Sequence, residues 1–291
     1  MENKSLKIAV LSGKGGTGKT LVSVNLSAVA PQSVYIDCDV EEPNGHLFLK
    51  PTIHTEETVC VNIPEIDKNL CTGCRKCVDF CAFHALAFVG DGPVLFDDVC
   101  HSCGGCALLC PVNAIHETGK AVGKISSGVS GHVTVHSGSL NIGEASGIPV
   151  IKRLLKEISA ENNGPVLIDC PPGSSCAVME SLRDADFCVL VAEPTIFGAH
   201  NLAMVHQLVK LFKKPHGVVL NKCLQGENPS ETFCQKNDIP ILGHIPFDTE
   251  LGSLNSRGEI AARKSNRFQA LFLSLLKNIT KEAQHETASN S

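Results

Sequence analysis

Tryptophan is absent from this 291-residue chain, and tyrosine occurs once, at Tyr35. Aromatic residues make up only 4%, which removes the stacking surface on which single-stranded nucleic acids are held. A basic excess is missing too. Twenty-five Lys and Arg face 30 Asp and Glu, a formal net charge of −5, so no nucleic acid is expected as a partner. No apolar run approaches the roughly 18 residues needed to cross a bilayer, and no stable membrane insertion is expected. The opening residues MENKSLKIAVLSGKGG lack the apolar core and cleavage site of a secretory signal. These absences point to a cytoplasmic protein. The length allows one large domain, or one domain with a small insert.

Cysteine, by contrast, is abundant, with fifteen residues. Cytoplasmic thiols stay reduced, so clustered cysteines read as metal ligands rather than disulfides. Eight of them form two copies of C-x2-C-x2-C-x3-C: Cys71, Cys74, Cys77, Cys81, and Cys100, Cys103, Cys106, Cys110. Each copy has the spacing of a [4Fe–4S] site, and in two-cluster ferredoxins the fourth cysteine of each run serves the other cluster. The expected ligand sets are therefore Cys71, Cys74, Cys77 with Cys110, and Cys100, Cys103, Cys106 with Cys81. Pro111 follows its cysteine as such runs require, whereas Ala82 stands at the matching place in the first copy. Zinc suits paired C-x2-C knuckles better than four-cysteine runs. Between the copies, His84–Phe96 carries an Asp91-Gly92 turn flanked by apolar residues and reads as a hairpin. The duplicated unit is offset by 29 residues and is placed at residues 61–116 as an insert.

Around it the chain alternates strands and helices. Strands are expected at Lys7–Ser12, Ser33–Asp37, Val166–Asp169, Phe187–Ala192, Gly217–Leu220 and Ile241–Ile245. Helices are expected at Lys19–Val29, Ile151–Ser159, Ala177–Arg183 and Leu202–Phe212. That rhythm gives an α/β fold with a doubly wound, mostly parallel sheet. Residues 1–60 and 117–281 would form this domain, 117–140 returning as short strands and 282–291 trailing as a disordered tail. Phe268, Leu271, Phe272, Leu275, Leu276 and Ile279 share one helical face, suited to covering the sheet or to lying on a membrane.

Gly13-Lys14-Gly15-Gly16-Thr17-Gly18-Lys19-Thr20 fits G-x4-G-K-[ST] between a strand and a helix. The glycines let successive N–H groups converge on phosphate oxygens, Lys19 reaches the β- and γ-phosphates, and the Thr20 hydroxyl ligates Mg²⁺. The form K-G-G-T-G-K-T resembles the deviant Walker A motif of the MinD/ParA/nitrogenase-iron-protein superfamily. Asp37-Cys38-Asp39-Val40-Glu41-Glu42-Pro43-Asn44 looks like its switch I, and Asp169-Cys170-Pro171-Pro172-Gly173 like its Walker B and switch II. Glu193-Pro194-Thr195, Gly198 and Asn221-Lys222 match further segments. The resemblance spans about residues 6–255. It implies Mg-ATP binding and hydrolysis, with Lys14 acting across a nucleotide sandwich dimer. It further implies Asp39 orienting the attacking water, Asp169 holding Mg²⁺ through water, and Asn221 reading adenine.

The remaining cysteines read differently. Cys60, Cys188, Cys223 and Cys234 have the character of small buried hydrophobes, and Cys38 and Cys170 fall in switch segments. Cys176 lies seven residues past Asp169, the spacing of the bridging-cluster cysteine in nitrogenase iron proteins. No second matching cysteine occurs between Ser139 and Val150, and the C-x-x-C of Mrp-type carriers is missing. Cys176 is thus either a transient interface metal ligand or a packed thiol. The family resemblance implies a homodimer, or a heterodimer with a paralogous ATPase, and a metal-cluster-binding or electron-transfer partner protein. Three functions fit: assembly or delivery of a metal–sulfur cofactor, ATP-gated electron donation, and redox-sensing regulation or positioning.

Overall fold

The structure, a computed structural model, describes residues 5–158 and 164–289. The expected helix end at Ser159 lies outside them. In chain order the first half comprises β1 (Lys7–Leu11), α1 (Lys19–Val29), β2 (Val34–Asp37), α2 (Gly45–Leu49), β3 (Thr52–Ile66) and α3 (Lys76–Phe80). The hairpin β4 (Leu86–Val89) and β5 (Gly92–Leu95) follows, then α4 (Gly105–Leu108), β6 (Ile115–Ser130) and β7 (Val133–Leu140). The second half alternates α5 (Ile148–Leu155), β8 (Val166–Asp169), α6 (Cys176–Leu182), β9 (Phe187–Ala192), α7 (Ile196–Leu211), β10 (His216–Cys223), α8 (Pro229–Lys236) and β11 (Ile241–Pro246). Helices α9 (Thr249–Ser256), α10 (Ala261–Lys264) and α11 (Asn266–Ser289) close the chain.

Nine strands form one sheet in the order β11-β10-β9-β1-β8-β2-β7-β6-β3. Neighbours from β11 to β7 are parallel; β6 and β3 add an antiparallel edge. Strands such as Val166–Asp169 and Phe187–Ala192 are buried throughout, so they read as continuous apolar runs rather than alternating ones. One face packs on α5, α6 and α7 and the other on α1 and α11. The parallel order brings the carboxyl ends of the central strands to one edge, the place where open α/β sheets hold ligands.

Two expectations change. Strand β3 runs unbroken through the expected boundary at residue 61, and β6 extends over 16 residues instead of breaking into short strands. They pair from Thr52↔Val129 to Ile66↔Ile115, and the eight clustered cysteines lie on the excursion beyond that last pair. Most β3 side chains are exposed, so the alternation that marks a half-buried strand was absent. The tail is also different: α11 continues past Glu282 to Ser289, with Ala283 buried in the same interface, because the apolar stripe extends one turn further. Phe268, Phe272, Leu275 and Ile279 are all buried under the sheet, so this face is used within the molecule. Among the described residues no helix is long and apolar enough to cross a membrane.

Candidate nucleotide cleft and cysteine module

The loop Gly13–Thr20 joins the end of β1 to α1, and two of its glycines, Gly13 and Gly18, are sterically dictated. Gly18 has φ +98°, and a Cβ there would lie 2.1 Å from Nδ2 of Asn221. A Cβ on Gly13 would lie 2.3 Å from the carbonyl oxygen of Asn201. The backbone therefore packs against β10 and α7 with no room for a side chain. Beside it opens a cleft of about 520 Å³ lined by Gly15, Gly16, Gly18, Lys19, Thr20, Asp39, Asn44, Asn221 and Lys222. Phe48, Pro172, Phe247, Asp248 and Asn255 are also part of the wall. That volume suits a bound cofactor-sized ligand.

Lys19 is buried, with Nζ 2.6 Å from Oδ1 of Asp169 and 3.8 Å from Oδ2 of Asp39. Burial alone would lower its pKa, but Asp169 first, then Asp39 and Asp37, outweigh this and raise it. Of the two expected catalytic lysines, Lys19 thus forms one cluster with both expected carboxylates. Tyr35, whose hydroxyl donates to the other oxygen of Asp169 at 2.9 Å, joins them from β2. Asp37 is fully buried and accepts from the N–H groups of Asp39 and Gly45, pinning the backbone of the segment that follows β2. Burial, followed by the nearby Asp169 carboxylate, pushes its pKa up to about 7. Burial likewise raises Asp39 to about 6, against the pull of Lys19.

Lys14 points elsewhere. Its Nζ lies 2.9 Å from Oε2 of Glu193, just after β9, and the lysine side chain remains 43% exposed. The other Glu193 oxygen holds Lys222 at 2.6 Å, and Lys222 also donates to the Gly16 carbonyl. Asn221 is buried and gives Nδ2 to the Thr17 carbonyl at 2.8 Å, so its donor buttresses the phosphate loop.

The cysteine excursion repeats itself in backbone as well as sequence. Left-handed residues Gly73, Arg75 and His84 recur 29 positions later as Ser102, Gly104 and Asn113. The short helices α3 and α4 start at matching positions. Cys81 Sγ accepts from the Ala85 N–H at 3.3 Å, and Cys110 Sγ from the Ala114 N–H at 3.2 Å. Two cavities lie in this unit. One, of about 320 Å³, is lined by Cys81, Cys100, Cys103 and Cys106, with Phe83 and His101 stacked beside it at 3.7 Å between ring centroids. The other, of about 20 Å³, is lined by Cys71, Cys74, Cys77 and Cys110. Each cavity draws its fourth cysteine from the other repeat. Among the described residues, no three His, Cys, Asp or Glu side chains converge to hold a single metal ion.

The family model of the CobQ/CobB/MinD/ParA nucleotide binding domain matches residues 8–261. The chain belongs to this family. An uncharacterised protein of Methanocaldococcus jannaschii, MJ0578, is 30% identical over 253 residues, covering 86% of this chain and 87% of its own. An iron-sulfur cluster carrier protein of Pyrococcus horikoshii is 23% identical over 87% of this chain and 77% of its own. Among solved structures, the septum site-determining protein MinD of Pyrococcus horikoshii, complexed with Mg-ADP, superimposes with a TM-score of 0.59 at 20% identity. It covers 96% of this chain and 97% of its own.

Within this MinD-like fold several cleft residues had no sequence signal. Phe48, Phe247 and Asn255 reach the cleft only through tertiary folding, and Tyr35, buried behind it on Asp169, sits inside an ordinary strand pattern. Asp37 and Glu193 were visible as members of motifs, but their contacts were not. Cys176 is exposed at the first residue of α6, whereas Cys60, expected inside, is exposed on edge strand β3. Cys223 is only half-buried, while Cys188 and Cys234 are buried as expected.

Asp37 carries a pH prediction. Its folded pKa of about 7 exceeds the unfolded carboxylate value of 3.8, so between these pH values the folded state holds the extra proton. Its contribution to stability is full below pH 3.8 and is lost as pH rises through about 7. The unfolding temperature of nucleotide-free protein should fall across this window. Asp37→Asn should remove that component of the slope, as followed by thermal denaturation at each pH.

Proposed function

We propose that this chain is an Mg-ATP-dependent ATPase carrying two [4Fe–4S] clusters and acting in assembly or delivery of a metal–sulfur cofactor through nucleotide-driven dimer closure. The observation that carries this reading is the crosswise lining of two cavities by four cysteines each, in a chain that also holds a phosphate-loop cleft. A single zinc ion would draw its sulfurs to about 2.3 Å from one centre. A four-iron cluster bonds each thiolate to a different iron, which suits donors spread around a cavity. The N–H···S bonds from Ala85 and Ala114 belong to the contacts that tune such clusters. When bound, the clusters would supply one-electron chemistry at potentials set by those contacts and by solvent exposure. The name of the Pyrococcus horikoshii relative, an iron-sulfur cluster carrier, favours cofactor delivery.

For the nucleotide, Lys19 would bind the β- and γ-phosphates, Thr20 and Asp169 would hold Mg²⁺, and Asp39 would orient water. Asn221, its donor engaged, would offer its carbonyl to the base. Dimer closure is supported by exposed apolar side chains close in the chain to the partners of Lys14. Ile196 and Phe197, shortly after Glu193, and Leu224, shortly after Lys222, are 78%, 77% and 68% exposed, suited to a second copy or a paralogue.

ATP-gated electron donation is the second reading, favoured by two cysteine-lined cavities in one small unit. An anaerobic redox titration by EPR, with and without Mg²⁺ and a non-hydrolysable ATP analogue, separates them. A shift near 60 mV, about 1.4 kcal/mol per electron, would favour gated donation. Unmoved potentials, with ATP-dependent transfer of iron and sulfide to an apo-acceptor, would favour delivery. Cys176→Ala should then abolish transfer while sparing the spectrum; transfer at the wild-type rate would remove Cys176 from the mechanism. A redox-sensing regulatory role would show neither shift nor transfer.

A further inference from the structure

Besides the β3–β6 ribbon, the nucleotide cleft and the cysteine excursion are joined by a set of contacts that runs through the side chain of Lys120 on β6. Its Nζ lies 3.0 Å from Oδ2 of Asp97, 3.8 Å from Oδ1 of Asp98 and 3.2 Å from Oε1 of Glu144. Lys120 and Glu144 are half-buried, at 18% and 16% side-chain exposure, whereas Asp97 and Asp98 are exposed at 49% and 79%. Asp97 and Asp98 immediately precede the Cys100 run, at the end of the β4–β5 hairpin.

Glu144 lies on the loop between β7 and α5, and that loop is fastened to switch I. The Leu140 N–H donates to the carbonyl of Val40 at 2.8 Å. A Cβ added to Gly147 would come within 2.4 Å of the Val40 side chain, and one on Gly138 within 2.9 Å. Val40 is buried and directly follows Asp39, which faces Lys19 in the cleft. On its other side the loop is tied to β6, where Asn141 donates to the Val122 and Ala121 carbonyls. Val40 thus packs without room for a further methyl against Gly138 and Gly147 at the two ends of this loop, so a displacement of Asp39 on nucleotide binding would press on the loop at both ends. That loop holds the carboxylate that Lys120 bridges to the Cys100 run.

The duplication shows that this attachment is selective. Twenty-nine residues before Asp97 and Asp98, the first repeat carries Lys68 and Asn69. Neither position supplies a carboxylate of the kind that Lys120 pairs with in the second repeat. The two copies match in cysteine spacing and in left-handed residues, yet they differ at the two positions that the link uses.

We infer that Lys120 is a positioning residue that transmits nucleotide state from switch I to the Cys81, Cys100, Cys103 and Cys106 site and not to its duplicate. This rests on the proposed ATPase reading, and it names which of the two cysteine sites responds. An isolated exposed ion pair would contribute about 0–1 kcal/mol. Lys120 is half-buried and holds carboxylates from two segments, so their relative placement depends on it.

The test is hydrogen exchange on the full-length, anaerobically purified protein with and without Mg²⁺ and a non-hydrolysable ATP analogue, with nucleotide affinity measured on the same samples. Exchange in residues 96–106 should change by at least about fivefold on nucleotide binding, the lower end of usual coupling free energies. Residues 67–77 should change much less. Lys120→Met should abolish the response of 96–106 while leaving nucleotide affinity near the wild-type value, and Lys120→Arg should retain it. A response that survives in Lys120→Met, or that is equal in the two repeats, would overturn the inference. So would nucleotide binding with no response in the wild type. Failure of the wild type to bind nucleotide would instead overturn the ATPase reading, and this inference with it.

Discussion

Lys14→Ala is expected to lower ATP turnover by about 10³-fold or more while changing nucleotide affinity of the isolated protomer only slightly. The first half follows from the trans role proposed for this lysine: a cation delivered to phosphoryl-transfer charge is worth about 10³–10⁵ in rate. The second half follows from where the side chain points. Lys14 is paired with Glu193 on its own protomer and is absent from the lining of the cleft, whereas Lys19 lines it and faces Asp39 and Asp169. Magnitudes decide whether the Glu193 contact can yield. A half-exposed pair is worth about 0–1 kcal/mol, and 10³ in rate is about 4 kcal/mol of transition-state stabilisation. Closure can therefore break the pair at small cost. Lys19→Ala should behave differently, losing nucleotide binding itself. Steady-state hydrolysis and equilibrium binding on the same preparations check both halves. A Lys14→Ala protein that hydrolyses ATP at the wild-type rate would end the trans-lysine proposal.

How much of this was legible in the sequence differs from element to element. The parallel strands read well because burial on both faces makes them uninterrupted apolar runs; Phe187–Ala192 matched to the residue. The glycine-rich loop read well because its spacing is a steric requirement, as Gly13 and Gly18 show. Ribbon strands β3 and β6 were misplaced for the opposite reason. At the sheet edge β3 buries little, β6 shows no regular alternation, and their pairing over 14 positions is a long-range property. Helix α2, whose Gly45 N–H satisfies Asp37, is too short to carry a pattern. Likewise the lysine partners of Glu193 and the link through Lys120 join residues far apart in the chain. Motif reading supplies the names of such groups but not their directions. The direction of Lys14, toward Glu193, was the fact that made its role testable apart from that of Lys19.

Cys110→Ala is expected to halve the iron content of anaerobically reconstituted protein, from about eight to about four atoms per chain. The decisive information lies in pairs of substitutions. Cys110 and Cys71 line one cavity although they belong to different repeats, and Cys110 and Cys100 share a repeat but line different cavities. If each cavity holds one cluster, Cys110→Ala with Cys71→Ala removes two ligands of the same cluster and should still leave about four iron atoms. Cys110→Ala with Cys100→Ala removes a ligand from each and should leave nearly none. Repeat-wise ligation predicts the reverse, because Cys100 and Cys110 would then share a cluster. Residues acting on one unit are non-additive, and residues acting on separate units add. The contrast therefore survives partial loading, since it compares two double variants with one single variant. Iron and acid-labile sulfide determined on all three would settle the pairing. Equal iron in the two double variants would show that the two cavities do not behave as separate sites.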